Sequence, residues 1–465
     1  MKVTLFGAAG GEVTGSAYLV ETARSRVLVD FGFFQGVPHA EVRNHVPPEL
    51  DAARLDAVLL THAHLDHTGR LPLLPRAGCA CPVVATPATL EITDLILRDS
   101  AKVQLQDLAR VNRKRERAGE PPLGPLYGVE DVEGVLRHGR PVAYDTEVEV
   151  TPDVRARFVE AGHLLGSASI HLQARENGRP RMVVFSGDLG PKGVPILRDA
   201  ECRHVPAAAV FLESTYGDHD HQPFDKTVAE FREVVRAAVE RRGKILVPTF
   251  AVGRAQLLLV LLACLFRRGE LPKFPVFLDS PMAAEASRIY LRHPELFDDE
   301  LRALGEERPI LEDLDTLRIT ATADESKTIN DVPGPCMILA GAGMCNAGRI
   351  LHHLRQNLWR PETSVLIVGY QAEGTLGRHL VERAPHVSIF GEKVAVRAQV
   401  RTLGGFSAHA GQSELLEWFG CVAGAAPRVF LTHGEKAGRT TLARLIQERH
   451  GLKAGLPALG ETVEF

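Results

Sequence analysis

Four residues of the types that bind metals lie within the short run from His62 to His67; they are His62, His64, Asp66 and His67. The run follows an apolar stretch at residues 57–60, which is typical of a buried strand. A turn at the end of a rigid strand can direct neighbouring side chains to one place. The pattern therefore predicts a metal centre rather than a cluster of polar surface groups. Imidazole and carboxylate groups suit zinc, and they also bind manganese or iron.

Three further candidate ligands come later in the chain, each in a turn that contains glycine: His163, Asp188 and His433. Either histidine alone would more often be a hydrogen-bonded structural residue. With the first run, however, the chain offers five histidines and two aspartates, enough for two metals with positions left open for water. Because a carboxylate has two oxygens, Asp188 is suited to bridge the two metals.

The motif His-x-His-x-Asp-His, together with His163, Asp188 and His433, resembles the metallo-β-lactamase fold. Asp30, which closes the apolar stretch 26–29, matches the first motif of that superfamily. The resemblance implies that Asp30 supports the metal loop and does not bind metal.

Three further stretches are similar to the motifs of the β-CASP nucleases. Residues 211–217, with Glu213 as the acid, resemble the A motif, residues 405–409 the B motif, and residues 432–435 the C motif. The resemblance covers essentially the whole chain. It points to the bacterial and archaeal relatives of the endonuclease subunit of the eukaryotic pre-mRNA 3′-end cleavage machinery. It therefore implies RNA cleavage at a site with two Zn²⁺ ions, with Mn²⁺ as an alternative.

The ligand count and the family motifs together predict how the ligands are shared. We expect His62, His64 and His163 to form one site, and a second group, Asp66, His67 and His433, to form the other, with Asp188 between them. We also assign Asp66 to the catalytic groups.

The pattern of apolar segments indicates two kinds of architecture. Residues 1–208 alternate short apolar strands with glycine-containing turns, as in a β-sandwich, whereas residues 209–396 contain four strand–turn–helix units, which predict a parallel, doubly wound sheet. Short strands return in residues 397–465, together with His409 and His433. We therefore expect an α/β protein: a metallo-β-lactamase αββα sandwich with an inserted Rossmann-like β-CASP domain.

Substrate-binding residues are expected mainly in the inserted domain. The loop from Gly341 to Arg349, which includes Gly343, lies between an apolar strand and a helix, so its backbone N–H groups and a guanidinium could bind a phosphate. The loop lacks the Gly-Lys-Ser/Thr ending of nucleotide-binding loops. Most glycine-containing turns in α/β proteins only reverse the direction of the chain and bind no ligand. We also assign Ser407, in the B motif, to substrate binding. The basic run 110–117 could contact phosphates, although such runs are usually solvated faces.

Composition sets outer limits on the function. The formal charge of −4 means that any contact with RNA must be local. Seven cysteines without a Cys-x-x-Cys pair predict reduced thiols and a cytoplasmic protein. The first residues resemble a strand rather than a signal peptide, and the apolar run 257–266 is about half the length needed to span a bilayer, so no membrane partner is expected. No segment matches the additional domains of related nucleases, which favours a compact two-domain enzyme.

The leading functional hypothesis is a metal-dependent ribonuclease that acts on single-stranded RNA. DNA stays open as a substrate because recognition of the 2′-hydroxyl cannot be read from sequence. A small-molecule hydrolase of the same fold would not need the inserted domain. A non-catalytic RNA-binding scaffold would have lost metal ligands, whereas all seven positions here hold histidine or aspartate. Endonucleolytic or 5′-exonucleolytic cleavage, and assembly as a homodimer, are left open.

Glu213 and His409 are not needed to complete the metal set. Cleavage of a phosphodiester must neutralise an alkoxide leaving group, which general acid catalysis can do. A carboxylate hydrogen-bonded to an imidazole orients it and favours its protonated form. Our hypothesis is that His409 donates this proton or steadies the scissile phosphate, while Glu213 positions His409. The alternative is a structural hydrogen bond between the two.

Overall fold

The computed structural model of the protein describes residues 1–37, 39–176, 178–371 and 374–465. They form two compact units. The first unit contains residues 1–192, 199–220 and 409–465, and the second contains residues 193–198 and 221–408.

The strands, numbered in chain order, are β1 Lys2–Gly7, β2 Ala17–Glu21, β3 Arg26–Val29, β4 Ala57–Leu59, β5 Val83–Ala85, β6 Gly139–Pro141, β7 Glu147–Thr151, β8 Val154–Glu160, β9 Ala168–Glu176, β10 Arg179–Phe185, β11 Ala207–Glu213, β12 Lys244–Pro248, β13 Val276–Leu278, β14 Leu317–Ile319, β15 Cys336–Ala340, β16 Ser364–Ile367, β17 His386–Ile389, β18 Glu392–Ala395, β19 Gln399–Thr402, β20 Arg428–Thr432, β21 Ala454–Gly455 and β22 Thr462–Glu464.

The α-helices are α1 Ala40–Arg43, α2 Leu65–Thr68, α3 Pro87–Arg117, α4 Val129–Leu136, α5 Phe224–Glu240, α6 Arg254–Arg267, α7 Pro281–Arg292, α8 Asp299–Glu307, α9 Ala323–Thr328, α10 Ile350–Asn357, α11 Leu376–Val381, α12 Gln412–Ala423 and α13 Lys436–His450.

Two mixed sheets form the centre of the first unit. One has the strand order β22-β1-β2-β3-β4-β5-β6, and the other has the order β21-β20-β11-β10-β9-β8-β7. Alternate residues of a strand point to opposite faces of its sheet. In β11, Ala209 and Phe211 pack in the core shared by the two sheets, whereas Val210 and Leu212 pack with the apolar residues of α12 and α13. The outer face of the other sheet packs with residues of α3 and α4, including Leu97 and Val132. The layers are therefore helix, sheet, sheet, helix, as expected.

A parallel sheet with the order β14-β13-β15-β12-β16-β19 forms the core of the second unit. Its central strand β12 is buried along its whole length, as expected where helices cover both faces. The helix α5 buries Thr227, Phe231, Val235 and Ala238, which recur every three or four residues along one face. These strand–helix alternations confirm the expected α/β fold with an inserted Rossmann-like domain.

Three segments lie in a different unit from the one expected: residues 193–198, 209–220 and 397–408. The expected boundary at residue 208 falls inside β11, which pairs with β10 and β20 in the first unit. Residues 397–408 were expected to return to the sandwich, but β19 pairs in parallel with β16 in the second unit. The compact units therefore divide after residues 192, 198, 220 and 408. The sequences of β11 and β19 do not indicate which sheet each strand will join, because pairing depends on distant residues.

The cysteines also differ from the expectation of reduced thiols. Cys202 and Cys421, 219 positions apart in the sequence, form a disulfide within the first unit. Cys79, Cys81, Cys264, Cys336 and Cys345 are free thiols.

Among the described residues, no helix combines the length and the apolar character needed to cross a bilayer.

Candidate metal centre

The candidate ligands lie on turns that follow four strands of the first unit. His62 and His64 follow β4, Asp66 and His67 lie on the short helix α2, and the remaining three, His163, Asp188 and His433, follow β8, β10 and β20. Each turn begins at the end of a paired strand, so the sheets fix its position. The structure brings all seven side chains together within the first unit.

One group of ligand atoms consists of His62, His64, His163 and Asp188. The Nδ1 atom of His64 lies 3.2 Å from Nε2 of His62 and 3.0 Å from Nε2 of His163. Asp188 Oδ2 lies 3.5 Å from His62 Nε2 and 3.7 Å from His163 Nε2. Three nitrogens and one carboxylate oxygen therefore face a common point, which is the donor set of a four-coordinate zinc site.

A second group consists of Asp66, His67 and His433. The Nε2 atom of His433 lies 3.3 Å from Asp66 Oδ2. Asp188 Oδ1 lies 3.4 Å from His67 Nε2 and 3.7 Å from His433 Nε2. The two oxygens of Asp188 thus face the two groups separately, as a bridging carboxylate would.

Asp188 shows that this donor set fits a cation. Its side chain is buried, and its Oδ1 atom has no hydrogen-bond partner among the described residues. A buried carboxylate oxygen without a donor is unfavourable unless a cation neutralises it. Burial alone would raise the pKa of Asp188, but the neighbouring imidazoles of His433, His67 and His62 hold that pKa well below its usual value.

The protonation of the imidazoles also bears on metal binding, because a metal ligand must be a neutral imidazole. Burial lowers the pKa of His62 well below its usual value and lowers the pKa of His64 to about 4. Burial would also lower the pKa of His67, but the carboxylates of Asp188 and Asp30 overcome this effect and raise it well above its usual value. The two carboxylates therefore favour the protonated form of His67.

Asp30 lies behind the ligands rather than among them. Its Oδ2 atom is 2.7 Å from His67 Nδ1 and accepts a hydrogen bond from the hydroxyl of Thr61, while its Oδ1 atom accepts from the Thr61 backbone N–H. A carboxylate on the outer nitrogen of a ligand fixes the tautomer and the orientation of the ring. Asp30 thus contacts His67 and Thr61, and its role in supporting the metal loop stays a prediction.

Glu213 and His409 form a pair beside the ligands. Glu213 Oε1 lies 3.2 Å from His409 Nδ1 and also accepts a hydrogen bond of 2.7 Å from the Leu189 backbone N–H. The centroid of the His409 ring lies 4.6 Å from that of His163 and 5.9 Å from that of His433. The pair therefore borders both groups of ligands, and Glu213 is itself held by the turn that carries Asp188.

The expected substrate-binding residues Arg349, Gly343 and Ser407 lie in the second unit. The Arg349 guanidinium donates to Asp279 at 2.7 Å and to the carbonyls of Thr320 and Ala321. It serves as a link between loops, which the sequence analysis did not anticipate. A side chain at Gly343 would meet the exposed ring of Phe250 at 2.8 Å, so a larger residue there would require that ring to move. Ser407 is buried.

Two residues that support the metal loop were missed in the sequence. Thr61 connects Asp30 to His62, with its hydroxyl 3.1 Å from His62 Nδ1. Arg70 is fully buried and donates to the carbonyl oxygens of Gly32 and Gly15 at 2.5 and 3.0 Å. Burial lowers the pKa of Arg70 to about 9. Thr61 directly precedes the His62–His67 run and Arg70 lies three positions after it, and this proximity is the signal that could have identified them.

Three family models match the chain. The metallo-beta-lactamase superfamily matches residues 10–249, the Beta-Casp domain matches residues 255–380, and the Zn-dependent metallo-hydrolase RNA specificity domain matches residues 393–457.

Curated relatives match over nearly the whole chain. Ribonuclease TTHA0252 of Thermus thermophilus is 42% identical, and the match covers 100% of both chains. The transcription termination factor FttA of Pyrococcus abyssi is 32% identical over 98% of this chain and 70% of its own length. FttA of Methanosarcina mazei is 30% identical over 97% of this chain and 69% of its own length.

A solved structure supports the same fold. A protein of unknown function from Enterococcus faecalis has a TM-score of 0.53 and 14% identity, with 99% of each chain covered. At this identity the likeness concerns the fold alone. The full-length relatives and the matching domain models confirm the resemblance found in the sequence: the chain belongs to the metallo-β-lactamase superfamily and, within it, to the β-CASP family of ribonucleases.

Proposed function

We propose that the chain hydrolyses phosphodiester bonds of single-stranded RNA at a centre that holds two Zn²⁺ ions. The observation that carries the proposal is the position of Asp188, whose two oxygens face two separate groups of ligands. The name of the Thermus thermophilus relative, a ribonuclease, and the matching RNA specificity domain support RNA as the substrate.

Two metals at such a site supply Lewis acidity and lower the pKa of bound water, so that hydroxide is present at neutral pH. In the proposal His62, His64 and His163 hold one metal, and a second set, Asp66, His67 and His433, holds the other, with Asp188 common to both. The ligand set also suits Mn²⁺, so the identity of the metal is part of the test.

In the proposed reaction, the chain's own residues handle the leaving group. Glu213 holds Nδ1 of His409 and thereby directs Nε2 towards the substrate. His409 then donates a proton to the leaving oxygen, or steadies the scissile phosphate through the same nitrogen. Support comes from the position of the pair beside both groups of ligands.

The central experiment uses purified protein with circular, 5′-monophosphate and 5′-triphosphate RNAs of one sequence and the corresponding single-stranded DNA. Cleavage of the RNAs in the presence of zinc, abolished by Asp188→Asn, is the expected result. Cutting of circles would establish endonucleolytic activity, whereas dependence on a 5′-monophosphate would indicate exonucleolytic entry. Faster cleavage of DNA than of RNA would overturn the proposed substrate.

Elemental analysis of protein purified without chelator measures the metal content. Two zinc ions per chain are expected. One metal or none, in a folded and active preparation, would overturn the two-metal proposal. A homodimer and a cytoplasmic location stay predictions from the sequence.

A further inference from the structure

The C-terminal half of α3 and the segment that follows it form an arm, residues 102–124. The helix has 31 residues, and its last buried residue is Ala101. From residue 102 to residue 124 every side chain is exposed or half-exposed. The arm is held together locally: Asn112 makes hydrogen bonds of 2.8 Å with both the N–H and the carbonyl of Leu123, and Arg115 donates to the carbonyl of Pro121 at 2.8 Å.

Basic residues of the arm lie on one face of the helix. Three basic residues follow Arg110 at three, four and seven positions, which places all four on one side of the helix; they are Arg113, Lys114 and Arg117. All four are exposed. Asn112 and Arg115, which hold the returning segment, lie on the opposite face. The basic face is therefore directed away from the contacts that stabilise the arm.

This face differs from an ordinary solvated helix surface. Like charges at these spacings destabilise a helix, and acidic neighbours usually offset them. Among the residues that the structure describes, no carboxylate forms an ion pair with Arg110, Lys114 or Arg117. The arm carries six basic and three acidic residues in a chain whose formal charge is −4. The face is thus a local positive surface on an acidic protein, which complements a polyanion.

We propose that the basic face of the arm binds the phosphate backbone of the RNA substrate at a distance from the metal centre. The inference rests on the proposed ribonuclease function and adds a second contact with the same RNA. Phosphate contacts of this kind position a nucleic acid without reading its sequence.

The helix α3 sets the distance between the two contacts. At the N-terminus of α3, the hydroxyls of Thr86 and Thr89 donate hydrogen bonds to the carbonyl of Gly166. Gly166 belongs to the loop that carries His163. Arg110 lies 23 residues beyond Pro87, roughly 35 Å along the helix axis. At about 3.4 Å per stacked nucleotide, an RNA needs roughly ten nucleotides to span this length. Only RNAs longer than this can use both contacts.

The test compares the variant R110Q/K114Q/R117Q with the control R175Q/R179Q/R181Q, which removes the same charge from exposed positions on β9 and β10. Binding of labelled 30-nucleotide and 5-nucleotide RNAs is titrated at several salt concentrations, and cleavage of both is measured. For the long RNA, the arm variant should bind roughly tenfold more weakly, and its salt slope should fall by about two. Cleavage of the short RNA should not change, and the control should behave like the wild type.

A charge-preserving variant, R110K/R117K, should retain wild-type affinity for the long RNA. If R110Q/K114Q/R117Q binds the long RNA with the same affinity and salt slope as the wild type, the arm proposal is overturned. The ribonuclease function would still stand in that case, provided that the wild-type protein cleaves RNA. A wild-type protein that carries its metals but cleaves neither RNA would overturn the function and the arm proposal with it.

Discussion

At the scale of single residues, Asp188 and the pair formed by Glu213 and His409 are expected to have different roles. Asp188 is buried between the two groups of ligands, and its Oδ1 atom lacks a hydrogen-bond donor among the described residues. The Glu213 carboxylate is also buried, but it is satisfied by the backbone N–H groups of Leu189 and Thr215 and by His409. Loss of Asp188 should therefore affect metal content, whereas loss of His409 should affect the reaction alone.

The substitution Asp188→Asn should reduce the metal content from two ions per chain to one or none. An amide has no charge, and it offers one oxygen in place of two, so it cannot serve both groups. Elemental analysis of the purified variant measures the change. The control Asp324→Asn, at an exposed position of the second unit, should retain both metals. Two tightly held metals in Asp188→Asn would contradict the bridging role.

The substitution His409→Ala should slow RNA cleavage by roughly a hundredfold or more, with the metals retained, because a general acid contributes about this much. Glu213→Gln should give a smaller loss in the same step. Single-turnover kinetics across pH, with elemental analysis, measures both effects. Replacement of an exposed histidine, His386→Ala, should change neither. Near wild-type cleavage by His409→Ala would reduce the pair to a structural hydrogen bond.

At the scale of elements, one buried carboxylate joins several loops of the second unit. Asp279 follows β13 and accepts hydrogen bonds from Thr320 after β14, from Ser326 on α9, and from Arg349 and His353 at α10. Burial alone would raise the pKa of Asp279, but these donors hold it well below its usual value. The segments that follow β13, β14 and β15 are thus all held by hydrogen bonds to the single carboxylate of Asp279.

The substitution Asp279→Asn should therefore destabilise the second unit by about 3 kcal/mol, because it removes the buried charge that pairs with the half-buried Arg349 guanidinium and accepts hydrogen bonds from three other side chains. The pKa of Asp279 is lower in the folded protein than in the unfolded chain. The ionised carboxylate therefore contributes its full stabilisation above the unfolded pKa, and this stabilisation is lost as the pH falls through the folded pKa. Urea unfolding of the wild type and the variant at several pH values measures the difference. A difference that does not shrink towards acid pH would contradict this account.

At the scale of the whole chain, residues far apart in sequence meet in the first unit, which is interrupted briefly by residues 193–198 and at length by residues 221–408. His433 joins ligands more than 200 positions earlier, and Cys202 bonds to Cys421 on α12. The disulfide therefore ties the returning C-terminal segment to the part of the unit that precedes the interruption.

The disulfide makes a direct prediction about thiol content. Protein unfolded without reductant should show five reactive thiols, and seven after reduction. The double variant Cys202→Ser/Cys421→Ser should lose about 2–4 kcal/mol of stability, since the link restricts the unfolded chain. The matched variant Cys264→Ser should lose much less. Seven thiols before reduction would restore the original expectation of a fully reduced protein.

The sequence by itself determined the features that depend on neighbouring residues. The run His62–His67 contains four candidate ligands within six residues, and the later candidates each follow a recognisable apolar strand. Alternation of apolar residues identified a sandwich and a series of strand–helix units, because burial on one face imposes a fixed period on the chain. The family motifs allowed the remaining ligands to be named.

Tertiary structure alone decided which distant groups meet. The strand β11 is apolar and β19 is largely polar, but neither sequence specifies a unit, and only pairing with β20 and β16 assigns them. Arg349 lies in a loop suited to anions, but Asp279, 70 positions earlier, holds its guanidinium. The pairing of Cys202 with Cys421 is equally invisible in the sequence. Such contacts depend on how whole sheets and helices pack, and local sequence does not record this.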